Sequence, residues 1–256
     1  MGLTEGAELA ARLPSDDALN IAIVDVDAVR ESIGMEPGST PPTGSAEDDL
    51  AFLGETGPAL GYLQAGEIPT AIQDAALEQA RAIATVTGDR AATAIATSTD
   101  IVEFENLLRS AGLQEEDAAF VPDDDGYAVA IGGGVIAIAD DAGSAASIIE
   151  KTGGELPEPL DQIDGDGELV TLARFGASCV DSIATSDSVG EEGEVAFFTN
   201  ATPDPARIET SEPPPETPRI VGDSARVKIA AAANPSQGPP AVQALTNLAV
   251  SYDCDS

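Results

Sequence analysis

Two runs of small and β-branched residues, Tyr127-Ala128-Val129-Ala130-Ile131 and Val135-Ile136-Ala137-Ile138-Ala139, flank Gly132-Gly133-Gly134. Such residues favour extended backbone, and a short glycine loop between two of these runs joins neighbouring antiparallel strands. Neither run alternates apolar with polar positions. Both faces of the hairpin are therefore apolar, and each needs a cover, a helix on one side and core on the other. The hairpin is expected at the heart of a sheet, with Asp141 to Lys151 following as a helix closed by Gly153.

The flanking sequence supplies the rest of such a fold. A short helix over 5–13 stops before Pro14, and the apolar run from Ala18 to Val26 reads as a strand. Asp27 is placed to N-cap a helix from Ala28 to Ile33 ending at Gly34. Residues 36–48 are loop-like, and helical signals return at 46–54 and over 70–81, where Ile72, Ala76, Leu77 and Ala80 share a face. Ile83–Val86 and Ala91–Thr97 read as strands around Gly88-Asp89, and Thr99 or Asp100 caps a helix from Ile101 to Ser110. After a turn-rich stretch from Glu155 to Gly167, expected strands are Leu169–Ala173, Glu194–Asn200 and Arg226–Ala232. Expected helices are Ser178–Ile183 and Pro239–Val250, with polyproline II over Ser211–Pro218. The sum is an α+β fold, mostly antiparallel sheet packed with helices. It divides at the turn-rich stretch into an N-terminal half, 1–155, and a C-terminal half, 156–256, either as two similar sub-domains or as one continuous domain.

Composition decides what surrounds that core. Asp and Glu number 46 against 11 Lys plus Arg, giving a net charge of −35. Such a surface repels phosphate backbones and anionic lipid headgroups, so nucleic acid is not an expected partner. The acidity fits a high-salt host or a high-GC bacterial one. Aromatic residues are only 4% and Trp is absent, so Ala, Val, Ile and Leu must build the core. No apolar run reaches the roughly 18 residues of a spanning helix. The N-terminus lacks the basic and apolar regions of a signal peptide, as expected if the sequence begins after a processed signal.

The two cysteines, Cys179 and Cys254, are expected to form a disulfide. Cys254 sits between Asp253 and Asp255 near the C-terminus, where a thiol has no packing role. A bond there would pin the tail and belongs to an oxidising compartment.

With no histidine, serine–histidine and cysteine–histidine catalysis and the common zinc sites are excluded. Gly132-Gly133-Gly134 lacks the Lys-Ser/Thr of a phosphate loop and is a turn. Carboxylate pairs could serve glycoside hydrolysis or a divalent cation. The candidates are Asp123-Asp124-Asp125 and, resembling a fragment of a calcium loop, Asp164, Asp166 and Glu168. That fragment lacks the full calcium-loop spacing, and acidic clusters arise freely in this composition. Asp25 and Asp27 read as one helix cap and one solvated acid. Asn200-Ala201-Thr202 matches a glycosylation sequon.

Three stretches resemble poorly characterised actinobacterial envelope lipoproteins. They are Leu13-Pro14-Ser15-Asp16 with Asp25-Val26-Asp27-Ala28-Val29-Arg30, the helix ending Leu108-Arg109-Ser110-Ala111-Gly112, and the hairpin tract Gly126 to Asp140. The resemblance covers about the first two thirds of the chain and carries no activity. It implies a secreted or lipid-anchored protein, held to a membrane only through an N-terminal anchor that this sequence lacks. The expected function is therefore an extracytoplasmic cell-envelope binding or scaffolding protein, not an enzyme, with no cofactor and with envelope protein or lipid as partner. Small apolar residues on the helices 70–81, 101–110 and 141–151 suggest an apolar ligand groove between helices and sheet. The alternative is a carboxylate-dependent hydrolase or a calcium-binding protein.

Overall fold

The computed structural model describes residues 4–14, 18–36, 38–39, 52–54, 56–60, 68–123, 126–156, 158–163, 168–175, 179–188, 191–231 and 239–254. The strands are β1 (Ala18–Asp25), β2 (Ala80–Gly88), β3 (Ala92–Thr97), β4 (Gln114–Glu116), β5 (Ala119–Val121), β6 (Ala128–Gly132), β7 (Val135–Ala139), β8 (Leu169–Arg174), β9 (Val180–Asp187), β10 (Gly193–Thr199), β11 (Ile208–Thr210), β12 (Arg219–Val221), β13 (Ser224–Ile229) and β14 (Val250–Tyr252). The helices are α1 (Thr4–Ala10), α2 (Val26–Ser32), α3 (Thr70–Glu78), α4 (Ile101–Ser110), α5 (Ala142–Glu150), α6 (Glu158–Asp161) and α7 (Pro240–Thr246), with further helical residues at 52–54 and 56–60. Twelve strands form one sheet in the order β12-β13-β10-β9-β8-β1-β2-β3-β7-β6-β5-β4, while β11 and β14 pair separately. Every ladder is antiparallel, as an α+β fold requires. β1 pairs with β8, so the sheet runs without a break from the N-terminal half into the C-terminal half.

The glycine hairpin lies inside this sheet. β7 pairs with β3 on one side and β6 on the other, and Gly133 and Gly134 form the two-residue turn with φ of +59° and +77°. Both angles are left-handed, which is why glycine stands at both positions. Ala137 and Ala139 face α1 and α5, in one cluster with Leu9, Ala145 and Ile148. Ile136 and Ile138 face α2, α3 and α4, in another with Val29, Ile72, Phe104 and Leu108. Alternate residues of one strand thus feed two cores. A third cluster, built on Val195, Phe197 and Val227, is covered by α7 and β14.

Local chemistry explains most element ends. Asp100 and Asp141 cap α4 and α5 by accepting N–H bonds of the first turn at 2.8–3.1 Å. For α2 the expected cap is corrected. Asp25, not Asp27, accepts from Ala28 N–H at 2.9 Å, because β1 runs straight into the helix and Asp27 already lies in its first turn. Asp27 instead pairs with Arg30 at 3.1 Å. Arg30 is 2% exposed and donates to the carbonyls of Ser39, Leu77 and Ala80. It therefore satisfies the C-terminal end of α3 and the start of β2, where a cation also meets the negative end of the helix dipole.

Three further expectations change. Ala80 begins β2 and is not part of the helix, since the chain leaves α3 at Gln79. Residues 180–187 are strand β9, not the short helix expected from Ser178 to Ile183. Their local sequence is polar, but β8 and β10 offer ladders on both sides, and that pairing overrides propensity. The final helix stops at Thr246, and residues 250–252 form β14.

Candidate functional site: an apolar cleft beside the disulfide

The C-terminal segment builds a cleft. α7 lies over β9, β10 and β13, and its N-terminus has only Pro239 at the cap position, with no side-chain acceptor. Asp187, at the end of β9, supplies one: its Oδ1 accepts from Ala241 N–H at 2.7 Å. The carboxylate is 1% exposed. Val242 N–H and the Thr185 hydroxyl lie near it, yet among the described residues none meets Oδ2 with hydrogen-bond geometry. Burial pushes this carboxyl up to about 7, against the smaller opposing pull of those donors.

The other end of α7 carries an unusual feature. Ala249 N–H returns to Ala244 C=O at 2.8 Å and Leu248 N–H to Leu245 C=O at 3.1 Å. This is the Schellman pattern, which puts the residue after the cap into the left-handed region. α2 and α4 end the same way, through Met35→Arg30 with Gly34→Glu31 and through Leu113→Leu108 with Gly112→Arg109. There the left-handed residue is glycine, at φ +75° and +91°. In α7 it is Leu248, at φ +54° and 83% exposed. A leucine in this conformation costs about 1–2 kcal/mol, and its side chain gains no burial within the chain to offset that.

Leu248 stands on the rim of a cleft of about 500 Å³. Its walls are Ala173 of β8 and Phe175 just after it, Val180 and Ile183 of β9, Phe197 of β10, Leu245 of α7, and Val250, Ser251, Tyr252 and Cys254 of the tail. Phe175 is 46% exposed, so two large apolar side chains face solvent at one mouth. No charged side chain lines the cleft among the described residues. The tail is fixed by the β11–β14 ladder, by Phe197 and Tyr252 in ring contact at 5.5 Å, and by the Cys179–Cys254 disulfide. That bond, expected from the sequence, has a Cα–Cα distance of 5.7 Å and spans 75 residues. A structural disulfide of this kind belongs to an oxidising environment.

The groove expected among residues 70–81, 101–110 and 141–151 does not form as one feature. α5 packs on the opposite sheet face from α3 and α4, because alternate residues of β7 point to opposite faces. Between α3 and α4 lies a cavity of about 420 Å³, but its rim is polar: Glu78, Gln79, Asp100 and Glu103. Of the proposed cation ligands, Asp164 and Asp166 lie outside the described residues, and Glu168 accepts from the Ser32 hydroxyl. Asp123 accepts from Gln114 Nε2, while Asp124 and Asp125 also lie outside the described residues. Among the described residues no group of three or more Asp, Glu or Cys is placed to hold a metal ion. Asn200, Ala201 and Thr202 are all exposed at the end of β10. Periodicity could not reveal the cleft. The helical pattern of the sequence runs on through Leu248, and only the structure ends the helix before it.

No protein-family model and no curated protein sequence matches the chain. Solved structures of the treponemal protein TP0453 are similar in fold. Crystal form I aligns with a TM-score of 0.53 at 10% identity, over 96% of this chain and 98% of that one. Crystal form III gives 0.51 at 9% identity, over 90% and 94%. At such identity the likeness concerns the fold alone, and it spans both halves of the sheet. None of these comparisons bears on actinobacterial envelope lipoproteins.

Proposed function

We propose that this chain is an extracytoplasmic binding protein of the cell envelope, without catalysis of its own, which takes an apolar ligand in the cleft beside the disulfide. The observation that carries this reading is Leu248. Two other helices of the same chain close the same hydrogen-bond pattern with glycine, whereas α7 holds an exposed leucine in a costly conformation at the mouth of an apolar cleft. Strain of this kind collects at ligand sites, where something other than the fold recovers the cost. The cleft volume falls in the range of small-molecule sites, about 300–1,000 Å³. Its uncharged lining suits hydrocarbon, and the disulfide supports an oxidising location outside the cytoplasm.

Displacement of a fluorescent fatty acid from delipidated protein tests the reading. Saturable binding is expected. Leu248→Gly should weaken it roughly tenfold, since covering one leucine contributes about 1.5 kcal/mol. The same substitution should leave Tm nearly unchanged, because the relieved strain offsets the added freedom of glycine in the unfolded chain. A flat titration of the wild-type protein would remove the proposal.

A further inference from the structure

A second cavity of about 350 Å³ adjoins the apolar cleft across a ridge. Tyr252 lines both, and the disulfide joins Cys254 in the cleft wall to Cys179 in the second cavity. The two differ in character. The cleft has no charged lining, whereas the second cavity holds Arg207 and Asp204. Among the described residues Arg207 is the one cation lining either cavity.

Two donors at this ridge donate no hydrogen bond to the described residues. The Arg207 guanidinium makes no hydrogen bond to the described residues, and its ion pair to Asp204 is long, 3.9 Å. Asp204 is engaged elsewhere, capping the short turn Pro205–Arg207 by accepting from Ala206 N–H at 3.0 Å. The Tyr252 hydroxyl accepts from Asp204 N–H at 3.1 Å and donates to none of the described residues. Its ring is held by Phe197, so the hydroxyl is fixed at the boundary. An apolar cavity on one side of a ridge, and a weakly paired guanidinium and a hydroxyl that donates to none of the described residues on the other, match a molecule with an apolar chain and an oxygen-bearing anionic head.

Building on the reading above, we propose that the ligand is a single-chain amphiphile with a carboxylate head. Its chain lies against Phe175, Leu245 and Leu248, and its head is held by Arg207 and the Tyr252 hydroxyl. Arg207 then selects the head while the cleft selects the chain.

Titration calorimetry of the full chain with decanoate and with 1-decanol, at 0.5 M salt, separates the two parts. Wild type should bind decanoate about tenfold more tightly than decanol, the equivalent of about 1.4 kcal/mol. Arg207→Gln should abolish that preference and leave decanol within about twofold of wild type. Tyr252→Phe, which keeps the ring contact, should lose part of the preference. Circular dichroism confirms that both variants are folded. Equal wild-type affinities for the two probes would overturn the head-group assignment while leaving the cleft intact, as would an Arg207→Gln variant that weakens both equally. Absence of binding by either probe would overturn both this inference and the reading on which it rests.

Discussion

Asp187 should make the protein less stable as pH rises from 4 to 7. In the unfolded chain this carboxyl ionises near 3.8, whereas in the fold it keeps its proton to about 7. Between those values the folded state holds a proton that the unfolded state has released, so the stability contributed by this group falls with increasing pH. The contribution is complete below 3.8 and gone above 7. At about 1.36 kcal/mol for each tenfold change in proton affinity, the full span is about 4 kcal/mol. Asp187→Asn keeps the acceptor for Ala241 N–H and removes the titration. Urea unfolding of both proteins from pH 4.5 to 8, in 1 M salt, reads the difference. The other acids change together in the two proteins and cancel. Near pH 4.5, where the unfolded carboxyl is already mostly ionised, the variant should be about 1 kcal/mol more stable than wild type, and the gap should widen to about 4 kcal/mol by pH 8. Parallel curves would show that Asp187 is hydrated in the fold and that the docking of α7 on it is wrongly described.

Three other outcomes follow from named contacts. Replacing Cys179 and Cys254 by serine should lower stability by about 4 kcal/mol in the chain-entropy model for a 75-residue separation. Thiol titration of denatured, unreduced wild type should find no free thiol. Arg30→Ala should cost about 3 kcal/mol in denaturant unfolding, because the carbonyls of Ser39, Leu77 and Ala80 lose their donor in a buried place. Raising salt from 0.05 to 1 M should raise Tm, since a net charge of −35 repels itself and the screening length shrinks to about 3 Å at 1 M.

The local parts of the fold were legible in the sequence. The 127–139 hairpin follows from β-branched runs around glycine, and the ends of α4 follow from Asp100 and Gly112. Both rest on interactions within a few residues, which spacing records directly. The disulfide was equally legible, since only two cysteines exist. Long-range pairing decided the rest. β9 is polar by composition and becomes a strand only because two neighbours complete its ladders. The opposite-face placement of α5 relative to α3 and α4 depends on how the connections cross the sheet, which the period of a helix does not encode. Asp187 looks like any other acid in a chain of 46 until α7 buries it, and Leu248 looks like an ordinary helix residue until the helix ends beneath it. Sequence period fixes which face of an element is apolar. Tertiary structure alone decides what that face meets, and so where burial raises a carboxyl's proton affinity and where an apolar cleft is left open.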